Sequence, residues 1–353
     1  MPDDERIVRV PLPVSLIRRM DQLLLKGTGG YQTRTEFIHE AVEAMVLELS
    51  YEPAPEEPRL HAMPLPANAP PVSAGPPGAQ PTPAEPLKAP ALDLEGTRLG
   101  TPPPSVTLDD GEGTVIDEPM FGLHNRDYPS LWAARHLAAL TSDDLVGLDE
   151  FLRTLVDAAW EFGERLLALE KTVAAKLSAL FPTNRAKPQS AEEGFRVFAV
   201  GTCTANGHEL RLGGPLFMWR VCQVTRRDGR LLVGLTRTGR ELLTALEDVS
   251  LEMPHPPDLA ERFFAHLRAQ APQDWWGFTT LLEAVEAGAT RVELIDVFQQ
   301  AQPTWNESKN ATNVAGYVAR AREWGLVEPK QIDSRYALTP FGKHQLDEER
   351  RDA

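Results

Sequence analysis

Between Arg6 and Leu49 the apolar residues change period in a way that predicts three elements. Val8, Val10 and Leu12 alternate with Ile7, Arg9 and Pro11, the two-residue period of a short strand. Leu16, Ile17, Met20, Leu23 and Leu24 then recur at helical spacing, and Gly27, Gly29 and Gly30 stop this first helix. Thr33 opens a second helix, because Thr33 and Glu36 have capping-box spacing and Phe37, Ile38, Ala41, Val42, Met45 and Leu49 form an apolar stripe. A strand and two helices within about 45 residues bury too little apolar surface to stand alone, since a lone core below about 40 to 60 residues is marginal. Residues 1 to 51 are therefore expected to form a homodimer.

From Glu52 to Glu118 the pattern disappears. Proline and alanine dominate, as in PLPANAPPVSAGPPGAQPTPAEP, and the expectation is a disordered, partly extended tether over residues 52 to 118. Its last part, Asp109 to Glu118, lacks the ligand spacing of a calcium loop and reads as a solvated charge run.

Periodicity returns at Met120. Asn125 to Pro129 reads as a turn before a helix with Trp132, Ala133 and Leu137, and Ser142 with Asp143 and Asp144 as the cap of another. Leu148, Leu152, Leu155, Val156, Ala159, Leu166, Leu169, Val173 and Leu177 then predict one long amphipathic helix from Leu145 to about Leu180, so that residues 119 to 190 form a helical scaffold. In residues 191 to 250, Trp219–Thr225 and Leu231–Leu235 read as strands around the turn Arg227-Asp228-Gly229-Arg230, and Thr236 opens a helix with Leu242 and Leu243. The layout returns near the C-terminus: Leu235-Thr236-x-x-Gly239-Arg240-x-x-Leu243 matches Leu338-Thr339-x-x-Gly342-Lys343-x-x-Leu346, an internal repeat. Within residues 251 to 353, Leu259–Leu267, Phe278–Val285 and Thr290–Phe298 are helix candidates, the last with Thr290 and Glu293 as a capping box. A further helix, Ala311 to Glu323, is expected to turn Val314, Val318 and Ala321 inward and Lys309, Asn310, Asn313, Arg320 and Arg322 outward, with Arg320 and Arg322 suited either to phosphate or to an internal salt bridge. The fold class expected is mainly α with short β.

The first segment, through the strand ending Leu12-Pro13, the glycine turn, Thr33-Arg34-Thr35-Glu36-Phe37-Ile38 and Glu40-Ala41-Val42, resembles the ribbon-helix-helix family of prokaryotic DNA-binding proteins, the MetJ, Arc and CopG class. The resemblance implies two strands paired across a two-fold axis and laid in the major groove of double-stranded DNA. It places Ile7, Arg9 and Pro11 toward the groove, with Arg9 the one side chain able to donate to a guanine edge. It gives Thr33, Arg34 and Thr35 a phosphate contact at the start of the second helix. Pro11 and Ile7 depart from the family's polar pattern, as does His39 where a basic residue is common. The repeated segments resemble winged helix-turn-helix domains of bacterial and archaeal regulators. That resemblance implies a recognition helix at Ala311–Glu323, with Lys309, Asn310 and Asn313 at its groove-facing start, and a wing bearing Arg226, Arg227 and Arg230. Gly213-Gly214-Pro215 departs from it by interrupting any recognition helix in the first copy.

The net charge of −15 bears on a nucleic-acid partner only through where it sits. Residues 52 to 118 hold 3 basic and 11 acidic side chains, so the tether carries much of the surplus and could compete with phosphate for basic surfaces. Residues 211 to 240 hold seven arginines against Asp228 alone, a basic wing, whereas residues 251 to 353 hold 11 basic and 16 acidic residues, a balance that suits a protein partner nearly as well as DNA.

Chemistry finds little to build on. Gly27-Thr28-Gly29-Gly30 lacks the lysine of a phosphate loop, and His208-Glu209 lacks the second histidine of a zinc protease helix. No Gly-x-Ser-x-Gly elbow occurs, and Cys203 and Cys222 make neither a zinc site nor a disulfide framework. No cofactor, metal, enzymatic activity or membrane span is expected, and acids at Asp3, Asp4 and Glu5 argue for a cytoplasmic location. The expectation is a homodimeric DNA-binding regulator of transcription. A plasmid-partition or antitoxin-type DNA-binding protein, or an assembly protein that binds no DNA, remain as alternatives.

Overall fold

The computed structural model describes residues 95 to 352 except 117–118, 120–125, 171–176, 207–208 and 333, together with Ile17, Asp21, Arg34 and Ile38. These last four are helical, and Ile17 and Ile38 are half-buried. Residues 1–86 and 87–353 are separate units.

The larger unit is mainly helical with two small three-stranded sheets. Its elements are β1 (Gly113–Val115), α1 (Tyr128–Leu140), β2 (Val146–Gly147), α2 (Leu148–Glu170), α3 (Pro188–Phe195), β3 (Thr202–Asn206), β4 (Glu209–Gly213), α4 (Pro215–Met218), β5 (Cys222–Arg227), β6 (Arg230–Leu235), α5 (Arg237–Ala245), α6 (Pro257–Gln270), α7 (Pro272–Glu286), α8 (Arg291–Ala301), α9 (Glu307–Glu323) and α10 (Pro340–Asp352). One sheet has the order β1-β4-β3, with β1 parallel to β4, and the other the order β2-β6-β5, all antiparallel. One core runs from Leu99 to Leu346 across the boundaries expected near 190 and 250.

The hairpin β5–β6 forms where it is expected. Asp228 (φ 53°) and Gly229 (φ 75°) make the two-residue turn that matches the twist of paired strands. Thr236 then caps α5: its Oγ1 accepts from Gly239 N at 2.8 Å and donates to Arg220 O at 2.6 Å. Thr339 does the same for α10, accepting from Gly342 N at 2.9 Å and donating to Gly325 O at 2.6 Å. Arg220 (φ 57°) and Gly325 (φ 69°) share the left-handed conformation this turn needs. The likeness extends through the pairing register. Cys222 pairs with Leu235 and Val327 with Leu338; Val146 pairs with Val233 and Ala289 with Tyr336. In each half a short strand leads directly into a helix, β2 into α2 and Ala289 into α8, which Thr290 and Glu293 cap reciprocally. The halves differ between the second helix and the hairpin. Four residues of α4 stand where the second half has the seventeen of α9, and the segment before it carries α3, β3 and β4.

Two expectations are corrected, and one element is new. The long helix starts at Leu148, since Asp144 accepts from Leu145 N and the chain then pairs Val146–Gly147 with β6, and its described part ends at Glu170. Residues 95 to 116, expected to belong to the tether, pack on the unit: Leu99 N donates to Val249 O, Leu108 N to Leu235 O and Glu112 N to Val224 O. Leu99 is buried in the core, but most of the attachment is through backbone groups, which needs no apolar period. The hairpin β3–β4 was not anticipated, although Leu210 and Leu212 point inward and Glu209 and Arg211 outward at a strand's period.

Candidate nucleic-acid interface

Of the expected DNA-contacting residues in the first segment, Ile7, Arg9, Pro11, Thr33 and Thr35 lie outside the described residues. Arg34 is helical, and its Nε and Nη2 donate to Asp21 Oδ1 at 2.5 Å and Oδ2 at 2.6 Å. These bonds draw the Asp21 carboxyl below its ordinary range and raise the guanidinium. The pair ties the start of the second helix to the first. It is solvent-exposed, so a phosphate can exchange with it at little cost.

The basic hairpin presents Arg226 and Arg227 on β5 and Arg230 on β6, around the turn as expected. Its charge is not opposed by Asp228 alone. Asp144 faces Arg227 at 3.3 Å, Asp109 pairs with Arg237 at 3.3 Å, and Glu112 Oε1 accepts from Arg226 N at 3.1 Å. Counting charges along a short window misses them because they arrive from residues 83 to 128 positions away.

The expectation for α9 is corrected. Asn310 and Asn313, expected at the groove-facing start of a recognition helix, are 0% and 1% exposed, and Arg320 is 0% exposed. Asn310 Nδ2 donates to Gln299 Oε1 of α8. Lys309 is half-buried, with its ammonium 5.3 Å over the Trp305 ring. Both flanks of α9 are covered, by α7 and by α8, so positions read as polar from the sequence lie between helices. Between Lys309 and Glu323 the exposed residue is Thr312, with half-buried Ala311, Ala315 and Ala319 along the same strip, while half-buried Arg322 lies 5.5 Å over the Tyr336 ring. That strip lacks the paired donors and acceptors that read a base edge.

What α9 builds instead is a buried ionic centre where the two halves meet. Arg320 donates from Nε to Asp127 Oδ1 at 2.5 Å, and from Nη1 and Nη2 to Asp274 at 2.8 and 2.6 Å. Asp127 stands at the start of α1 and Asp274 at the start of α7, the corresponding helices of the two halves. The indoles cross over. Trp219, in the first half, donates to Asp274 at 2.8 Å, and Trp324, in the second, donates to Asp127 at 2.7 Å. Phe263 of α6 lies against both rings, stacked on Trp324 at 4.4 Å and edge-on to Trp219 at 5.3 Å. Tyr317 adds a hydrogen bond to Asp274 at 2.9 Å. Glu323 accepts from Arg126 Nε at 3.0 Å and Asp127 N at 2.5 Å, with His255 Nε2 at 3.4 Å.

Three sealed carboxylates thus face two guanidiniums, and their environments drive them apart. Burial pushes Asp127 up to about 7 against the pull of Arg320, although both its oxygens accept from strong donors, the pattern of the ionised form. Burial also acts on Glu323, but Arg126, His255 and the Asp127 N–H outweigh it and hold this carboxyl down to about 2. For Arg320 the two aspartates outweigh burial and raise the guanidinium further. Sequence reasoning offered an internal salt bridge as one of two roles for Arg320 but found neither its partners nor its burial. The other advance signal of this centre is chemical: a buried indole N–H needs an acceptor, and Trp219 and Trp324 occupy equivalent places in the repeat.

Among the described residues no group of three or more histidine, cysteine or acidic side chains could hold a metal ion, and no helix is long and apolar enough to cross a membrane. Comparison with protein-family models, with curated proteins and with solved structures finds no match.

Proposed function

We propose that the chain is a homodimeric DNA-binding regulator that acts by occupying its site. Residues 1 to 51 would pair as a ribbon-helix-helix and enter the major groove, and the larger unit would be built from two winged-helix-like halves that add backbone or partner contacts. The observation that carries this reading is the first segment's strand-helix-helix pattern. It is supported by the helical Ile17, Asp21, Arg34 and Ile38 and by the Arg34–Asp21 pair that joins the two expected helices. The repeated register from Val146 to Leu243 and from Ala289 to Leu346 supports the winged-helix-like part, as do the arginines of the β5–β6 hairpin.

For the second half, a protein contact is favoured by a specific observation, the burial of Asn310, Asn313 and Arg320 within the unit. On this reading the C-terminal half is a scaffold or partner surface, and base reading falls to Arg9. A titration of the full chain against labelled duplex DNA at about 50 and about 200 mM salt tests the proposal. Salt-dependent binding that Arg9→Ala with Arg34→Ala abolishes is the expected result. Failure to retain any duplex at either salt would leave only an assembly role.

A further inference from the structure

Residues 107 to 112 lie along the basic hairpin as a strap. Thr107 bridges in parallel to Leu235, Leu108 N donates to Leu235 O at 2.7 Å, and Glu112 N donates to Val224 O at 2.9 Å. At Gly111 the fit is so close that a Cβ would stand 2.5 Å from the Gln223 side chain. The strap sets one carboxylate on the first residue of the helix that follows the hairpin and another on a backbone N–H and a hydroxyl of β5. Asp109 accepts from Arg237 N, the first N–H of α5, at 2.7 Å and from Arg237 Nη2 at 3.3 Å. Glu112 Oε1 accepts from Arg226 N at 3.1 Å and from Thr225 Oγ1 at 3.0 Å. A third carboxylate, Asp144 from the loop before β2, faces Arg227 at 3.3 Å.

Each of these carboxylates satisfies a set of donors suited to an anionic oxygen, and one set pairs a free helix N–H with a guanidinium. The contacts are exposed: Arg227 and Arg237 side chains are 54% and 70% accessible, while Arg320 in the buried centre is 0%. Exposed pairs are weak and exchangeable, whereas the buried ones are not. Arginines set along one hairpin and the helix that follows it suit a linear polyanion of regular spacing better than a single carboxylate ligand.

We propose that Arg227 and Arg230, a cross-strand pair on one side of the hairpin, form with Arg237 at the start of the next helix a binding surface for the phosphate backbone of duplex DNA, and that Asp109, Glu112 and Asp144 hold the donors around it until the backbone displaces them. The proposal rests on the DNA-binding reading above and adds to it a second, sequence-independent contact that the protein's own acidic strap holds in check. Arg230, exposed beside the turn, is the residue from which displacement would start.

The test compares the full chain with its Asp109→Asn, Glu112→Gln, Asp144→Asn variant, which removes the charges and keeps the side-chain shapes. Binding is read by fluorescence anisotropy on a labelled mixed-sequence DNA duplex and on an RNA duplex of equal length. The variant is expected to bind DNA more tightly at about 50 mM salt. Its affinity is expected to fall about tenfold further by about 200 mM, because two or three more arginines reach phosphates. Adding Arg227→Gln and Arg230→Gln should cancel the gain. If the triple variant does not fold, as judged by circular dichroism, Asp144→Asn alone should shift affinity in the same direction by a smaller factor. Equal affinity and equal salt slope in parent and variant would overturn the strap while leaving the DNA-binding reading intact. Binding to neither duplex by parent or variant would overturn both, and a gain for RNA equal to that for DNA would overturn the assignment to DNA.

Discussion

Replacing Arg320 by methionine isolates what joins the two halves. The stem of the side chain is roughly kept, so packing against Phe278, whose ring lies 4.6 Å below the guanidinium, changes little. The charge is not kept. Asp127 and Asp274, 2% and 1% exposed, lose their common partner, and Asp274 then depends on Trp219 and Tyr317, Asp127 on Trp324. Breaking a buried pair from one side costs about 3–5 kcal/mol, because the carboxylate left behind is sealed from water. In a unit of this size that corresponds to a fall in Tm of roughly 10 °C. Urea unfolding followed by tryptophan fluorescence reads it directly, since Trp219 and Trp324 both donate into the centre. The decisive control adds Asp127→Asn and Asp274→Asn to Arg320→Met. Asparagine keeps an acceptor for each indole but carries no charge, so the triple variant should recover much of the loss. A loss below about 1 kcal/mol for Arg320→Met, or a triple variant no more stable than the single one, would refute the view that uncompensated charge dominates at this junction.

Further outcomes follow from the same geometry. The raised Asp127 binds a proton more readily in the folded protein than in the unfolded one, so its contribution is fully present below about pH 4 and is lost as the pH rises through about 7; Asp127→Asn should flatten the urea midpoint over that interval. Glu323, held down to about 2, acts in the opposite sense: it contributes above about pH 4.5 and is lost as the pH falls through about 2, so Glu323→Gln should blunt acid unfolding. Asn313 is 1% exposed and neither of its amide atoms has a hydrogen-bond partner among the described residues; Asn313→Leu should raise stability by about 1 kcal/mol in thermal melts and leave duplex affinity unchanged, whereas a base-reading asparagine would lose binding. At Gly239 a Cβ would lie 2.1 Å from Val221 O, and at Gly342 it would lie 2.0 Å from Leu326 O, so alanine at either position should cost about 1–3 kcal/mol in spite of its better helix propensity.

What could be read in advance is what depends on near neighbours. The β5–β6 turn, the Thr236 and Thr339 caps with Gly239 and Gly342 behind them, and the Thr290–Glu293 capping box are each settled within three or four residues. Helical spacing likewise located the core of α2, α6, α7 and α8, with errors at their ends where a pairing strand or a proline intervenes. The candidate site was less legible. The hairpin arginines stand where expected, but Asp109, Glu112 and Asp144 against them come from distant positions, and a tether reading hid the first two.

By itself the sequence determined the middles of most helices in the larger unit, the β5–β6 turn with the caps that follow it, and that one hairpin-and-helix layout is used twice, because hydrogen bonds of caps and turns and the 3.6- and 2-residue periods act over a single turn of chain. Only the tertiary structure decided that Asn310, Asn313 and Arg320 lie inside, since a polar face is solvated or buried according to what packs on it. Arg320 finds Asp127 across 193 residues and Asp274 across 46. No local period encodes such a meeting; it follows from two similar halves packing so that each supplies the indole that bonds the other's aspartate.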